Sequence, residues 1–257
     1  MELGNVVSTA NLAARTAQVD AVRTPEQKPL ERLQKNVEST KVQLSALGQV
    51  KSATAQVETA ANALQDKTRL SNAGDVQKAV QNFANAVNSQ QNTVRQTVRN
   101  DNRSEPGALA NEARVRAATQ ETRRAVQGPT GGNEAALRQI GVTFSAQGEV
   151  RVDSKKLEQA FQANPNQVTE TLNRVGKETA EVSRKQLSDS GVVGGSINRL
   201  NERLGSLQQN QNDYQAQLRA AQQAIDRRNL QIEQGRAQTQ QAVGLSGSNA
   251  YRGVLST

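Results

Sequence analysis

The chain has 257 residues, 35% of them hydrophobic and only 2% aromatic, with a formal net charge of +8 and neither Cys nor His. These absences exclude Cys nucleophiles, His general bases, Ser-His-Asp triads, the usual zinc ligand sets and any disulfide framework. The apolar share, below the ~45–50% of ordinary globular domains, stands beside 54 Asn and Gln residues and points to helices that each bury one stripe, not to a deep aromatic-lined pocket.

No run approaches the ~18 apolar residues that cross a bilayer. Residues 1–20 carry neither the basic nor the apolar region of a Sec signal, so membrane insertion is not expected. The stretch 1–28 has no strong period and reads as an arm that is mobile in isolation. From Pro29, a residue suited to the first helical turn, apolar residues recur at Leu30, Leu33, Val37, Leu44 and Leu47, with Thr40 filling the gap. The stripe continues through Val50, Thr54, Val57, Ala61 and Leu64. This heptad-like seam, with one stammer at 44–47–50, predicts a helix over 29–68.

After the polar connection 71–75, a second helix carries Val76, Val80, Phe83, Val87, Val94 and Val98 and ends in the breaker cluster 100–107. A third helix is expected over 108–126. The period then changes to two: 142–144 and 150–152 alternate apolar and polar around 145–148, which predicts a β-hairpin at 141–152. Such a hairpin is marginal in water and has to pack on helices. Asp153 is placed to cap the helix carrying Leu157, Ala160 and Phe161. Asn164 and Pro165 form a second start signal, followed by Val168, Leu172 and Val175. Gly176, Gly191, Gly194 and Gly195 loosen the next stretch. The last helix has the clearest period: Ile197, Leu200, Leu204, Leu207, Gln211, Tyr214, Leu218, Ala221, Ile225, Arg228 and Ile232, in steps alternating three and four. From 233 the chain reads as a second mobile arm. The expected fold is mainly α: long antiparallel heptad helices forming a leg, plus a small helical domain with one β-hairpin, together spanning 29–232.

Five segments in order resemble the bacterial flagellar filament cap protein family, also called hook-associated protein 2. Residues 26–33 are similar to its E-x-x-P-L-x-x-L opening, 44–52 with 60–64 to a following block, and 83–88 to its F-v-x-A-Y-N helix. Residues 107–110 with Val115 and Arg116 form the fourth. The fifth and most specific runs from Leu137 through Ile140, Gly141, Val142 and Phe144 to Gly148, Val150, Val152, Asp153, Leu157, Phe161 and Pro165. The resemblance covers about 20–225. It implies a core built on Phe83 and that fifth block. In the family a long β-rich segment, the plate domains, separates the first helix from the F-x-x-A-x-N helix; here 65–76 bridge the gap, as in a short form lacking the plate. The resemblance further implies export through the flagellar type III channel to an extracellular place on the flagellum, assembly with itself in a ring, and partners among flagellin, hook-junction proteins and an export chaperone. It implies no cofactor, metal or covalent reaction.

The residues taken alone leave alternatives. The seams on Leu30, Leu33, Val37, Leu44 and Leu47, and on Ile197, Leu200, Leu204, Leu207, Tyr214, Leu218 and Ile225, fit either an internal helix pair or an intermolecular coiled coil. A cytosolic coiled-coil scaffold fits the same pattern. Nucleic-acid binding is disfavoured: basic residues are interspersed with acids, and aromatic side chains for base stacking are almost absent. Asp153 beside Lys155 and Lys156 reads as a helix cap, not a catalytic pair, and 128–132 lacks the Lys-Ser/Thr of a phosphate loop.

Overall fold

The computed structural model describes residues 4–98, 108–109, 113–128 and 131–254, with side chains over 28–98, 108–109, 113–128 and 131–238. Seven α-helices and one hairpin occur in the order α1 (Gly4–Ala63), α2 (Ala73–Thr97), α3 (Ala113–Gln127), α4 (Gly132–Gln139), β1 (Val142–Phe144), β2 (Val150–Val152), α5 (Ser154–Ala163), α6 (Pro165–Leu187) and α7 (Val192–Val254) among these residues. A 3-10 turn, Lys67–Arg69, lies between α1 and α2. The fold is mainly α. It divides into two units, one of residues 1–35 with 206–257 and one of 36–205.

Several boundaries differ from the sequence reading. α1 begins at Gly4, not at Pro29, so Pro25 and Pro29 lie inside it. Proline lacks the N–H that would bond the carbonyl four residues back, so the carbonyls of Ala21 and Pro25 lose those donors. α1 also ends at Ala63, five residues early, where Leu64 N–H and Gln65 N–H turn back to the carbonyls of Ala61 and Asn62. α3 starts at Ala113, and Leu109 N–H instead donates to Thr97 O, closing the end of α2. α7 starts at Val192 and takes Gly194 and Gly195 into its first turns. Helical backbone extends from Gly4 and to Val254, into both stretches read as arms; 1–3 and 255–257 lie outside the described residues.

Within the 36–205 unit, two apolar clusters form the core. The larger joins Val57 and Ala61 of α1, and Leu64 just past its end, to Val76, Val80, Phe83 and Val87 of α2, with Leu137, Val142, Val150, Leu157, Val168, Leu172 and Val175. The smaller gathers Ala46, Leu47 and Val50 of α1 with Val94, Leu109, Val115, Val193 and Leu200. Burying each Leu or Val contributes about 1.5–3 kcal/mol relative to exposure. Polar side chains are buried as well. Gln90 Nε2 donates to Thr54 Oγ1 at 2.9 Å, and Thr54 Oγ1 donates to Val50 O at 2.8 Å, tying α2 to α1. Gln186 Nε2 donates to Ala118 O at 2.8 Å, tying α6 to α3. Glycine at 176 permits close passage of α6 over α1: a Cβ there would lie 2.5 Å from Ala61 O.

In the unit of 1–35 with 206–257, burial declines along the described part of α7. Leu207, Tyr214 and Leu218 are half-buried, whereas Ala221, Ile225 and Ile232 are exposed. On α1, Leu30 and Leu33 are half-buried.

Candidate assembly surface

The hairpin is the only sheet among the described residues, and helices hold it from below. β1 and β2 pair antiparallel, with Val142 opposite Val152 and Phe144 opposite Val150. The turn closes through Gly148 N–H to Ser145 O at 2.8 Å, with Gly148 at φ 85°, a conformation that favours glycine. One edge of β2 faces β1; the other is covered by α2. Asn88 Nδ2 donates to Val150 O at 2.9 Å, and Val150 N–H donates to Asn88 Oδ1 at 2.8 Å. One side-chain amide therefore substitutes for a neighbouring strand and blunts the open edge. One turn further on, Gln91 Nε2 donates to Gly148 O at 3.0 Å.

The next elements follow from local capping. Asp153 Oδ1 accepts from Lys156 N–H at 3.0 Å at the start of α5, while Lys156 Nζ donates to Arg138 O. Asn164 Oδ1 accepts from Gln167 N–H at 3.1 Å, with Pro165 in the first turn of α6. Asn133 of α4 bridges to α6: its Nδ2 donates to Glu178 Oε2 at 2.8 Å and its Oδ1 accepts from Arg174 Nε at 2.8 Å.

Every side chain proposed for the family-type core is among the described residues. Phe83, Ile140, Val142, Val150 and Leu157 are buried; Phe144, Val152 and Phe161 are partly buried and pack against the same cluster. Gly141 and Gly148 are buried with positive φ, and Asp153, the cap of α5, and Pro165, the first residue of α6, are exposed. Of the seam residues, Val37, Leu47 and Leu200 are buried and Leu44, Ile197 and Leu204 half-buried. Among the described residues no group of three or more His, Cys, Asp or Glu could hold a metal ion, and no helix is long and apolar enough to cross a membrane. What this arrangement presents is helix faces and a hairpin clamped by Asn88.

Residues 54–241 match the family model described as flagellar hook-associated protein 2 C-terminus. The chain belongs to the flagellar hook-associated protein 2 family. No curated protein matches it. The matched span contains the third to fifth resembling segments, whereas the opening at 26–33 precedes it. Hook-associated protein 2 is a structural protein of the flagellum, which accounts for a core spent on holding helices and a hairpin together. The residue that composition and periodicity missed is Asn88. It closes the F-v-x-A-Y-N-like segment, and its clamp on Val150 lies 62 positions away in sequence.

Proposed function

We propose that this chain is an axial component at the filament end or hook junction, a short form of the filament cap lacking the plate, which associates with itself and assists flagellin assembly. The observation that carries this reading is the seam on α7. Its heptad spacing continues through Ile225 and Ile232, yet these side chains are 47% and 41% exposed. A stripe kept apolar while facing water is the form of a helix that closes against another subunit. The short link between Ala63 and Ala73, where the family carries its plate, supports the short-form reading. On this reading the protein leaves the cell through the flagellar export channel with a chaperone's help, and flagellin or a hook-junction protein is its neighbour.

Immunogold labelling tests the placement: decoration of filament tips or hook junctions is expected, and a uniform cytosolic signal overturns it. Light scattering tests self-association. The wild-type chain should exceed the monomer mass at high concentration, and the double variant Ile225→Glu, Ile232→Glu should return it to the monomer. A wild-type chain that stays monomeric without partners refutes self-association through this seam.

A further inference from the structure

The basic excess of the chain has a local counterpart. A cleft of about 220 Å³ opens where α2, α3 and the hairpin turn meet. Arg95 and Gln91 line it from α2, Arg116, Gln120 and Arg123 from α3, and Gln147 from the turn; among the described residues that line it none is acidic. The Arg123 guanidinium lies beside Gly148 of the turn, where a Cβ would be 3.2 Å from Arg123 Cζ. Arg95 Nη2 reaches Gln91 Oε1 at 3.4 Å, and Gln91 itself is fixed by its bond to Gly148 O. Among the described residues no carboxylate lies within ion-pair distance of Arg95 or Arg123.

We propose that this cleft is a recognition site for an acidic segment of a partner protein, taking a Glu or Asp side chain between the guanidinium groups of Arg95 and Arg123. Guanidinium presents paired N–H donors matched to a carboxylate, and such charge-assisted bonds are the strong ones. Amide side chains at the rim supply further donors without adding competing charge. Size and composition select the occupant. The cleft is smaller than the ~300–1,000 Å³ of small-molecule sites, so it fits one side chain of a larger partner. Among the described residues that line it there is also no aromatic side chain on which a nucleobase could stack.

The test titrates the full-length chain at low ionic strength with hexaglutamate peptide, hexaglutamine peptide, inorganic phosphate and oligothymidylate, read by calorimetry. Hexaglutamate should bind and hexaglutamine should not, with affinity falling as salt screens the partly exposed guanidinium groups. The double variant Arg95→Gln, Arg123→Gln should weaken hexaglutamate at least about tenfold, a loss of roughly 1.4 kcal/mol. Arg219→Gln, Arg227→Gln removes the same charge from exposed positions on α7 that do not line the cleft and should leave binding within about twofold, since neither residue presents its paired donors there. If the glutamine pair does not melt cooperatively, Arg123→Lys carries the test, because ammonium keeps the charge and loses the paired geometry; a several-fold loss is then required. Equal weakening by the two double variants would mean bulk charge alone and overturns the proposal. Cleft-dependent binding of oligothymidylate or phosphate but not hexaglutamate also overturns it, as does no hexaglutamate binding at all.

Discussion

Replacing Asn88 by Ala removes both arms of the clamp on β2 and leaves the hairpin otherwise untouched. Val150 is only 3% exposed, so its N–H and C=O lose partners in a place water reaches poorly. Each buried backbone group left unpaired costs about 1–3 kcal/mol. Water reaching one of the two groups past half-buried Asn88 lowers the sum, giving an expected loss of about 2–4 kcal/mol. Two measurements follow it: urea unfolding by circular dichroism, and hydrogen exchange of Ser145 N–H. The second bonds Glu149 O at 2.9 Å across the hairpin and touches no atom of Asn88. Its exchange should accelerate by about thirtyfold to several hundredfold if the hairpin opens with the clamp gone. Asn88→Asp keeps the acceptor for Val150 N–H but sets a carboxylate oxygen against Val150 O, so it should be no better than Ala. An Asn88→Ala loss under about 0.5 kcal/mol, matching an exposed control such as Asn166→Ala, with Ser145 exchange unchanged, would refute the clamp. Full stability in Asn88→Asp would refute its two-way geometry.

Gly176→Ala places a methyl group 2.5 Å from Ala61 O, so α6 must move off α1; urea unfolding should show a loss of about 2–3 kcal/mol despite the better helix propensity of Ala. Ser183→Ala should act in the opposite sense. Ser183 Oγ is fully buried without a hydrogen-bond partner, and deleting it should raise stability by about 1 kcal/mol in the same assay, by ending an uncompensated burial. The Asp66 carboxyl is held below its ordinary value of 3.8, chiefly by the Thr68 hydroxyl, with the Thr68 and Arg69 backbone N–H groups and the Arg69 guanidinium also lowering it and desolvation opposing. A depressed folded-state pKa means the turn's contribution is present above the unfolded value and is lost as pH falls through the folded one. Carboxyl carbon NMR should place the Asp66 midpoint below 3.8, and Thr68→Val should move it upward.

How much of this was legible depended on the range of the physics involved. Asp153 and Asn164-Pro165 could be read as caps because a cap is settled within four residues, and the observed bonds to Lys156 N–H and Gln167 N–H span three. The hairpin was legible for the same reason: alternation and a glycine turn are local signals. Pro29 misled because a proline's local preference for a first turn says nothing about whether a longer helix absorbs it. α1 runs through both prolines and starts 25 residues earlier than the expected Pro29 start. Gln91 and Gln186 were read only as parts of a polar, amide-rich composition, and Asn88 only as the last residue of a resembling segment, since their partners lie 57–68 positions away.

That range argument also explains why the polar composition and the buried core coexist. An amide side chain carries a donor and an acceptor at adjacent atoms, so it can satisfy a backbone edge from a helix face. Asn88 does this for β2, Gln186 serves Ala118 O, and Gln90 caps the Thr54 hydroxyl. Leu or Val at 88 would leave Val150 N–H and C=O without partners, whereas Ala118 O keeps the Thr122 hydroxyl and Thr54 Oγ1 keeps Val50 O when Gln186 or Gln90 is replaced. The net would favour the amides wherever the unpaired group is a backbone atom. A chain with few aromatic residues can thus hold a two-stranded hairpin against its helices by fixing the hairpin's edge, with only modest apolar area. The same logic assigns the seam on α7 a different task. Gln211 and Arg228 lie in register with Tyr214, Ile225 and Ile232, so if α7 closes against another subunit as proposed, they would set how the partner helix aligns.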